Sequence, residues 1–359
     1  MTQGGAAIEF QGVCKRYATG QANAVDHVDL RAREGEIVAL VGESGSGKTT
    51  LLRLAAGLEV PDAGVVRITG DIVASDVVWI PPERRRVGLV FQDGALFPHL
   101  TAHQNICYGI PGKSEEEQTK VVHFMLAMVG LPGKAERFPH QLSGGERQRL
   151  ALARALAPQP NVILLDEPFS NLDPGLRRSL REEVRLILNK LKATSILVTH
   201  DTEDAMAVGD RMVIFRDGHI EQEGEAREVY QRPANGYCAQ LFGPANRILS
   251  PGNGEKWIRP EHLKLVKAGK DRGIPVRVVT NMNHMFHDAT SLDFDISGWD
   301  VSQLTDMGGM FYGASGFTNL DLSSWQVGNV TNMNNLFRGL SNFNSDLSNW
   351  DVSKVVFMK

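Results

Sequence analysis

Apolar or alternating runs recur through the first two thirds of the chain, at residues 8–10, 37–41, 65–68, 87–91, 162–165, 196–198 and 212–215, and each predicts a strand. Between several of them apolar positions return every three or four residues, which predicts helices over 50–56, 115–129, 146–157, 176–191 and 203–208. Strands alternating with helices imply an α/β layer structure whose sheet is buried by helices on both faces. From residue 92 to 142 the alternation stops, and a mostly helical subdomain is expected there.

A different texture begins at about Met282. Lysine and arginine almost vanish, and Asn, Asp, Ser, Met, Phe and Trp replace them. Trp299, Trp325 and Trp350 are spaced by 26 and 25 residues, a period of about 25 that lies in the leucine-rich-repeat range. Other columns keep step: Asp295, Asp321 and Asp346 each open an Asp-(Ile/Leu)-Ser triplet, Phe286, Phe311 and Phe337 follow Met285, Met310 and Leu336, and Thr280, Thr305 and Thr331 each precede a Met by two residues. A unit of this kind buries its aromatics only against a neighbour, so a short solenoid is expected. The sequence stops at Val356, Phe357, Met358 and Lys359, inside the next unit, and an apolar end without a polar cap is expected.

At 359 residues the chain suggests two or three domains, from about 150 residues per domain. A formal net charge of −4 leaves no basic footprint and argues against nucleic acid as a partner. No apolar stretch reaches membrane-span length and the start lacks a signal region, so a soluble chain made and kept in the cytosol is expected. Cys14, Cys107 and Cys238 have neither disulfide nor zinc-site spacing and are read as small apolar residues.

The chemistry begins after the apolar run 37–41. Gly42, Glu43, Ser44, Gly45, Ser46, Gly47, Lys48 and Thr49 form a P-loop pattern, with Thr50 opening the helix behind it. Its glycines let backbone N–H groups turn inward around phosphates, while the lysine and hydroxyl reach the outer phosphates and Mg²⁺. Strand, loop and helix in that order is the context the motif requires. The apolar run 162–165 delivers Asp166 and Glu167, one carboxylate able to hold Mg²⁺ and the other to orient water. Leu142 leads into Ser143, Gly144, Gly145 and Glu146, whose Ser-x-x-Glu spacing reads equally as a capping box or as an anion-binding helix N-terminus.

Taken in order, the P-loop, residues 142–146, Asp166 with Glu167, residues 170–173 and His200 with Asp201 resemble the nucleotide-binding subunit of ABC transporters over residues 5–279. The resemblance implies a P-loop NTPase (RecA-like) core, an ATP-binding domain over 1–235 with a helical subdomain over about 93–142, and ATP with Mg²⁺ as ligands. It implies Lys48, Glu167 and His200 as catalytic residues, Gln92 as the sensor of Mg²⁺ and nucleotide, and Thr49, Gln92 and Asp166 around the metal. Asp173 becomes a dimer-facing residue. Tyr17 becomes the ring that stacks on adenine, its other reading being a half-buried strand tyrosine. Residues 143–146 would close over ATP held by a second ATP-binding subunit, in a homodimer or a pair.

The segment with Leu96, Phe97 and Leu100 resembles the importer subclass. It reads either as subdomain core or as the surface that receives a membrane permease, which implies a peripheral protein on the cytoplasmic face of the membrane. An extracytoplasmic binding protein would join through the complex. A soluble ABC ATPase of repair or translation is the alternative, but such proteins typically carry two cassettes or a long coiled-coil insertion. Residues 243–247 and 257–261 resemble the start of the accessory β-domain of ferric-iron importers, with polyamine and sulfate importers close behind. That domain is expected to be truncated, occupying 236–279 and breaking off after Val279. The repeats over 280–359 resemble BspA-like leucine-rich surface repeats. Three origins are open for the joined chain: a natural fusion whose tail binds a protein partner, a joined reading frame, or an artificial chimera, with an artificial or accidental junction preferred.

Overall fold

The computed structural model describes residues 5–18, 22–170, 172–243, 246–250, 254–258, 277–278, 282, 286, 296, 299 and 301–359 except 316–320 and 342. Two compact units result, Met1–Gln231 and Arg232–Lys359.

The first unit opens with strands β1 (Ala6–Lys15), β2 (Val25–Arg33) and β3 (Ile37–Val41), then helix α1 (Lys48–Ala56). Next come β4 (Ala63–Ile68), β5 (Asp71–Ala74) and β6 (Val87–Val90). The helical stretch follows as α2 (Ala102–Tyr108), α3 (Glu115–Met128) and α4 (Gly144–Leu156). Alternation then resumes with β7 (Val162–Asp166), α5 (Pro174–Leu191), β8 (Ser195–Thr199), α6 (Thr202–Val208), β9 (Arg211–Arg216), β10 (His219–Glu225) and α7 (Ala226–Gln231).

One sheet is antiparallel in the order β2-β1-β4-β5. The other runs β10-β9-β3-β8-β7-β6 and is parallel throughout except for β10. Every residue of β3 and β8 is buried; such strands read as unbroken apolar runs because both faces are covered. Helix α1 packs on β6, β7 and β8, and α6 on β3 and β8. Strand β1 is longer than the pattern predicts, because register shifts after Phe10 and Val13 break its two-residue alternation, with Gly12 at φ 55° between them.

Two arginine devices brace this unit. Arg85 is buried and donates from Nη1 to the carbonyls of Leu54 and Ala55 at 2.6 and 3.1 Å, capping the C-terminus of α1. Burial pushes its guanidinium down to about 10. Arg177, Arg181 and Arg185 recur every fourth residue on α5 and clamp the length of α6. Arg177 reaches Asp201, Arg181 reaches Asp201, Glu203 and Asp204, and Arg185 reaches Asp210 and the Gly209 carbonyl.

The second unit contains α8 (Gly236–Gln240) and a sheet ordered β12 (Gly254–Ile258), β11 (Asn246–Ser250), β13 (Arg277–Val278). Of the segments expected to begin an accessory domain, residues 244–245, 259–261, 276 and 279 lie outside the described residues. In the repeats, parallel bridges join Asp306 to Asn332 and Asn332 to Phe357, one period apart. Phe286, Phe311 and Phe337 stack in a column at 5.5 and 5.9 Å between ring centres. Trp325 and Trp350 each donate an indole N–H to the carbonyl of the preceding coil, at Ile296 and Leu322, both at 3.0 Å. Asp321 and Asp346 accept the N–H two residues on, turning each coil. Thr280, Met285 and Asp295 lie outside the described residues.

Candidate functional site

Parallel register assembles the site. Val41 pairs with Thr199, Val198 with Asp166, and Leu165 with Val90. Strands β3, β8, β7 and β6 therefore end side by side, and the residues that follow them are Gly42, His200, Glu167 and Phe91 with Gln92. These are the carboxyl ends of neighbouring parallel strands, where open α/β sheets place their ligands.

The loop after β3 is closely fitted. A Cβ on Gly42 would stand 2.1 Å from the Phe215 carbonyl oxygen, and one on Gly47 would stand 1.9 Å from that of Ala24. Gly47 also holds φ 105° as the N-cap of α1, and no side chain caps that helix. The first N–H groups of α1 are thus presented to the loop, which is an anion cradle by geometry and dipole. Lys48 is 5% exposed, and its ammonium donates to the carbonyls of Gly42 and Glu43 and the hydroxyl of Ser46, at 2.9, 2.7 and 3.0 Å. Burial pushes the ammonium below its ordinary value while Glu167, Asp166 and Glu43 pull it back up. A desolvated cation beside uncapped N–H groups suits a polyphosphate.

The Thr49 hydroxyl donates to Asp166 Oδ1 at 3.2 Å. Burial pushes the Asp166 carboxyl up, against the opposing pull of that hydroxyl. Two hard oxygens this close, one of them a half-buried carboxylate, fit Mg²⁺. Glu167 follows in a left-handed conformation, φ 46°, with its N–H bound to the Val198 carbonyl at 2.9 Å. That turn faces its carboxylate to His200, whose Nδ1 lies 3.1 Å from Oε1. Asp201 caps α6 through the N–H groups of Glu203 and Asp204 and is held by Arg177 and Arg181. The residue after β8 is consequently fixed from behind. The i,i+4 spacing of arginines on α5 is the sequence signal that marks this clamp, and sequence reasoning passed over it.

The remaining positions divide. Tyr17 stands beyond the end of β1, 53% exposed, with its hydroxyl 3.2 Å from Thr50 Oγ1 at the back of the phosphate loop. This overturns the half-buried strand alternative. Gln92 is exposed two residues past β6. Ser143 caps α4, its hydroxyl accepting from the Glu146 N–H while Glu146 accepts from the Ser143 N–H, a capping box that Lys134 extends by pairing with Glu146. Gly144 and Gly145 lie against Leu172 and Leu176. Asp173 is exposed and caps α5 through the Leu176 N–H; Asn171 beside it lies outside the described residues. Phe97 is half-buried, held through both its N–H and its carbonyl by buried Asn105, while Tyr108, whose ring is tilted against it at 4.5 Å between centres, and Phe124 are exposed.

The sequence profile of the ABC transporter family matches residues 25–170, and that of a family described as "Mycoplasma protein of unknown function, DUF285" matches 272–359. Sulfate/thiosulfate import ATP-binding protein CysA 2 of Chromobacterium violaceum is 46% identical over 248 residues, 69% of this chain and 66% of that one. Fe(3+) ions import ATP-binding protein FbpC 1 of Rhizobium meliloti is 43% identical over 263 residues, 72% of this chain and 73% of that one. Among solved structures, the dimeric post-hydrolysis state of the ATP-binding cassette MJ0796 bound to ADP and Pi aligns with TM-score 0.54 and 34% identity, covering 61% of this chain and 99% of that one.

Proposed function

The chain belongs to the ABC transporter family of ATPases, and from that premise we propose that it is the ATP-hydrolysing subunit of an importer, driving a membrane permease by ATP-dependent closure of a dimer. The observation that carries the reading is the shared register of β3, β8, β7 and β6, which sets the phosphate loop, His200 and the Asp166–Glu167 pair along one edge.

In this reading residues 42–49 wrap the phosphates, Lys48 leaves its carbonyl partners for the outer phosphates, and Tyr17 stacks on the adenine with Thr50 beneath its hydroxyl. Thr49, Asp166 and Gln92 would hold Mg²⁺, which when bound neutralises charge developing on the phosphate oxygens. Glu167 takes the proton of the attacking water, and His200 orients it and senses the terminal phosphate. Ser143, Gly144, Gly145 and Glu146 close over ATP on a second copy of the chain, and Asp173 lies at that dimer face. The dimeric cassette similar to this chain supports the pairing.

The exposed ring of Tyr108 beside Phe97, and the exposed Phe124 on α3, support permease docking at the helical subdomain. The protein then sits peripherally on the cytoplasmic face of the membrane, with an extracytoplasmic binding protein joined through the complex. No helix among the described residues is long and apolar enough to cross a membrane. Ferric iron is the first reading for the cargo, resting on the accessory-domain resemblance and the Rhizobium relative; sulfate is the second, resting on the Chromobacterium relative. We place the domains at 1–235, 236–279 and 280–359, and read the repeats as BspA-like and leucine-rich, a separate interaction module joined by an artificial or accidental junction.

The test is Mg²⁺-dependent ATP hydrolysis by the full chain, compared with Lys48→Ala. Loss of turnover in the variant is expected. Hydrolysis undiminished in Lys48→Ala would refute the site.

A further inference from the structure

Behind the phosphate loop, to which Gly218 is tied through the Ser46 carbonyl at 2.9 Å, three side chains with metal-binding atoms converge from two strands. Cys14 Sγ of β1, an Asp26 carboxylate oxygen and a His27 ring nitrogen of β2 all lie within 4.8 Å of one another. Cys14 Sγ is 3.9 Å from Asp26 Oδ1, and His27 Nδ1 is 2.8 Å from the same oxygen. His219, at the start of β10, places Nε2 3.3 Å from Oδ2 of Asp26. The backbone holds this arrangement: the Asp26 N–H donates to the Gly218 carbonyl at 2.9 Å, next to His219. The His27 N–H donates to Cys14 Sγ at 3.2 Å, which fixes the sulfur against the start of β2.

We propose that Cys14, Asp26 and His27 bind a divalent transition-metal ion of the zinc class, with solvent in the fourth position and His219 orienting the carboxylate from outside. The donor set is one soft sulfur, one imidazole and one carboxylate, a mixture that suits zinc rather than Mg²⁺ or Ca²⁺. Tetrahedral bonds of about 2.0–2.3 Å place ligand atoms about 3.3–3.8 Å apart. The sulfur–carboxylate distance of 3.9 Å already approaches that spacing. His27 must withdraw by about half an ångström to reach it, and an 80%-exposed side chain is free to do so. Cys14 is buried as a residue, yet it lines an open cavity of 440 Å³ with Arg16, Tyr17, Asn23 and Asp62. His219 meets the second carboxylate oxygen, the outer-partner arrangement that orients metal-bound carboxylates. The site uses none of the residues assigned to nucleotide hydrolysis, so it stands or falls separately from that assignment.

The experiment is titration of the full chain with CoCl2 alone, without nucleotide, read by absorption. A single Co²⁺ per chain with a thiolate-to-cobalt charge-transfer band, displaced by ZnCl2, is expected. Cys14→Ser removes the band, His27→Ala weakens cobalt affinity at least about tenfold, and His219→Ala weakens it by roughly ten- to a hundredfold. Cys107→Ser changes nothing. If Cys14→Ser does not fold, the exposed His27 carries the test through His27→Ala. Absence of the band in the unaltered chain, its survival in Cys14→Ser, or an affinity unmoved by His27→Ala overturns the proposal.

Discussion

His200 Nδ1 lies 3.1 Å from Glu167 Oε1, across the ends of two strands that are adjacent in the sheet and 33 residues apart in the chain. Glu167 reaches this position through a left-handed backbone, φ 46°, which costs a non-glycine residue about 1–2 kcal/mol. The site edge is thus held in a conformation the chain does not adopt freely.

If Glu167 is the base, Glu167→Gln keeps a side chain of the same shape facing His200 and loses the proton acceptor. Turnover should fall by roughly a hundredfold or more, while ATP binding persists and a stable ATP-bound dimer accumulates. His200→Ala should lower turnover as well, with the capping of α6 by Asp201 left intact. Steady-state hydrolysis and size-exclusion chromatography with ATP check this; equal turnover by Glu167→Gln and the unaltered chain would sink the mechanism.

Two glycines of the phosphate loop should respond differently to a methyl group. Gly47→Ala combines φ 105° with a Cβ 1.9 Å from the Ala24 carbonyl oxygen, so the loop must move. Gly45→Ala meets no atom within 4 Å and bears only the strain of φ 84°, about 1–2 kcal/mol. Nucleotide affinity, followed with a fluorescent ATP analogue, should be lost in the first and reduced about tenfold in the second. Equal affinities would show that the Ala24 contact is not what shapes the loop.

The turn into β3 makes stability depend on pH. Glu36 Oε1 accepts from Arg211 Nε at 2.8 Å, and Oε2 accepts from the Arg33 N–H at 2.8 Å. Burial acts to raise the Glu36 carboxyl, but the bonds from Arg211 and Arg33 outweigh it and hold it below the usual carboxylate range. A depressed folded value means this stabilisation is complete above the unfolded pKa and is lost as pH falls through the folded one. Glu36→Gln should cost about 1–2 kcal/mol at neutral pH, discounted for partial exposure, and the gap to the unaltered chain should close below about pH 4. Urea unfolding at several pH values measures it; a gap independent of pH would disprove the linkage.

What could be read from the sequence was local, and what could not was set by register. The P-loop and the Asp166–Glu167 pair are contiguous motifs beside apolar strands, and the tail's Trp and Phe columns are periodic, so each announces itself without a partner. The approach of His200 to Glu167 depends on how β8 aligns with β7, which no single stretch encodes. Cys14 looked like an apolar residue because its neighbours Asp26 and His27 arrive from the next strand. Arg85 gave no sign of capping a helix that ends 29 residues earlier. The start of α4 satisfies the capping-box reading within one chain, and its role toward a second subunit requires a partner surface that one sequence does not supply.

The repeats offer a test of whether the two units work independently. Trp325 is 2% exposed, rests against Phe311 at 6.3 Å between ring centres and donates to the Ile296 carbonyl at 3.0 Å. Trp325→Ala removes that packing and one of the two hydrogen bonds accepted by the Ile296 carbonyl, which keeps the Trp299 N–H, a loss of about 3–5 kcal/mol by the usual cost of deleting a buried aromatic. In a solenoid each coil rests only on its neighbours, so the damage should spread through the repeats. Tryptophan fluorescence and calorimetry should show the melting of that unit shifted down or lost. ATP turnover should remain at the level of the unaltered chain, because every residue assigned to hydrolysis lies within Met1–Gln231. A parallel fall in turnover would show that the repeats support the catalytic unit and would refute the reading of the tail as a separate module.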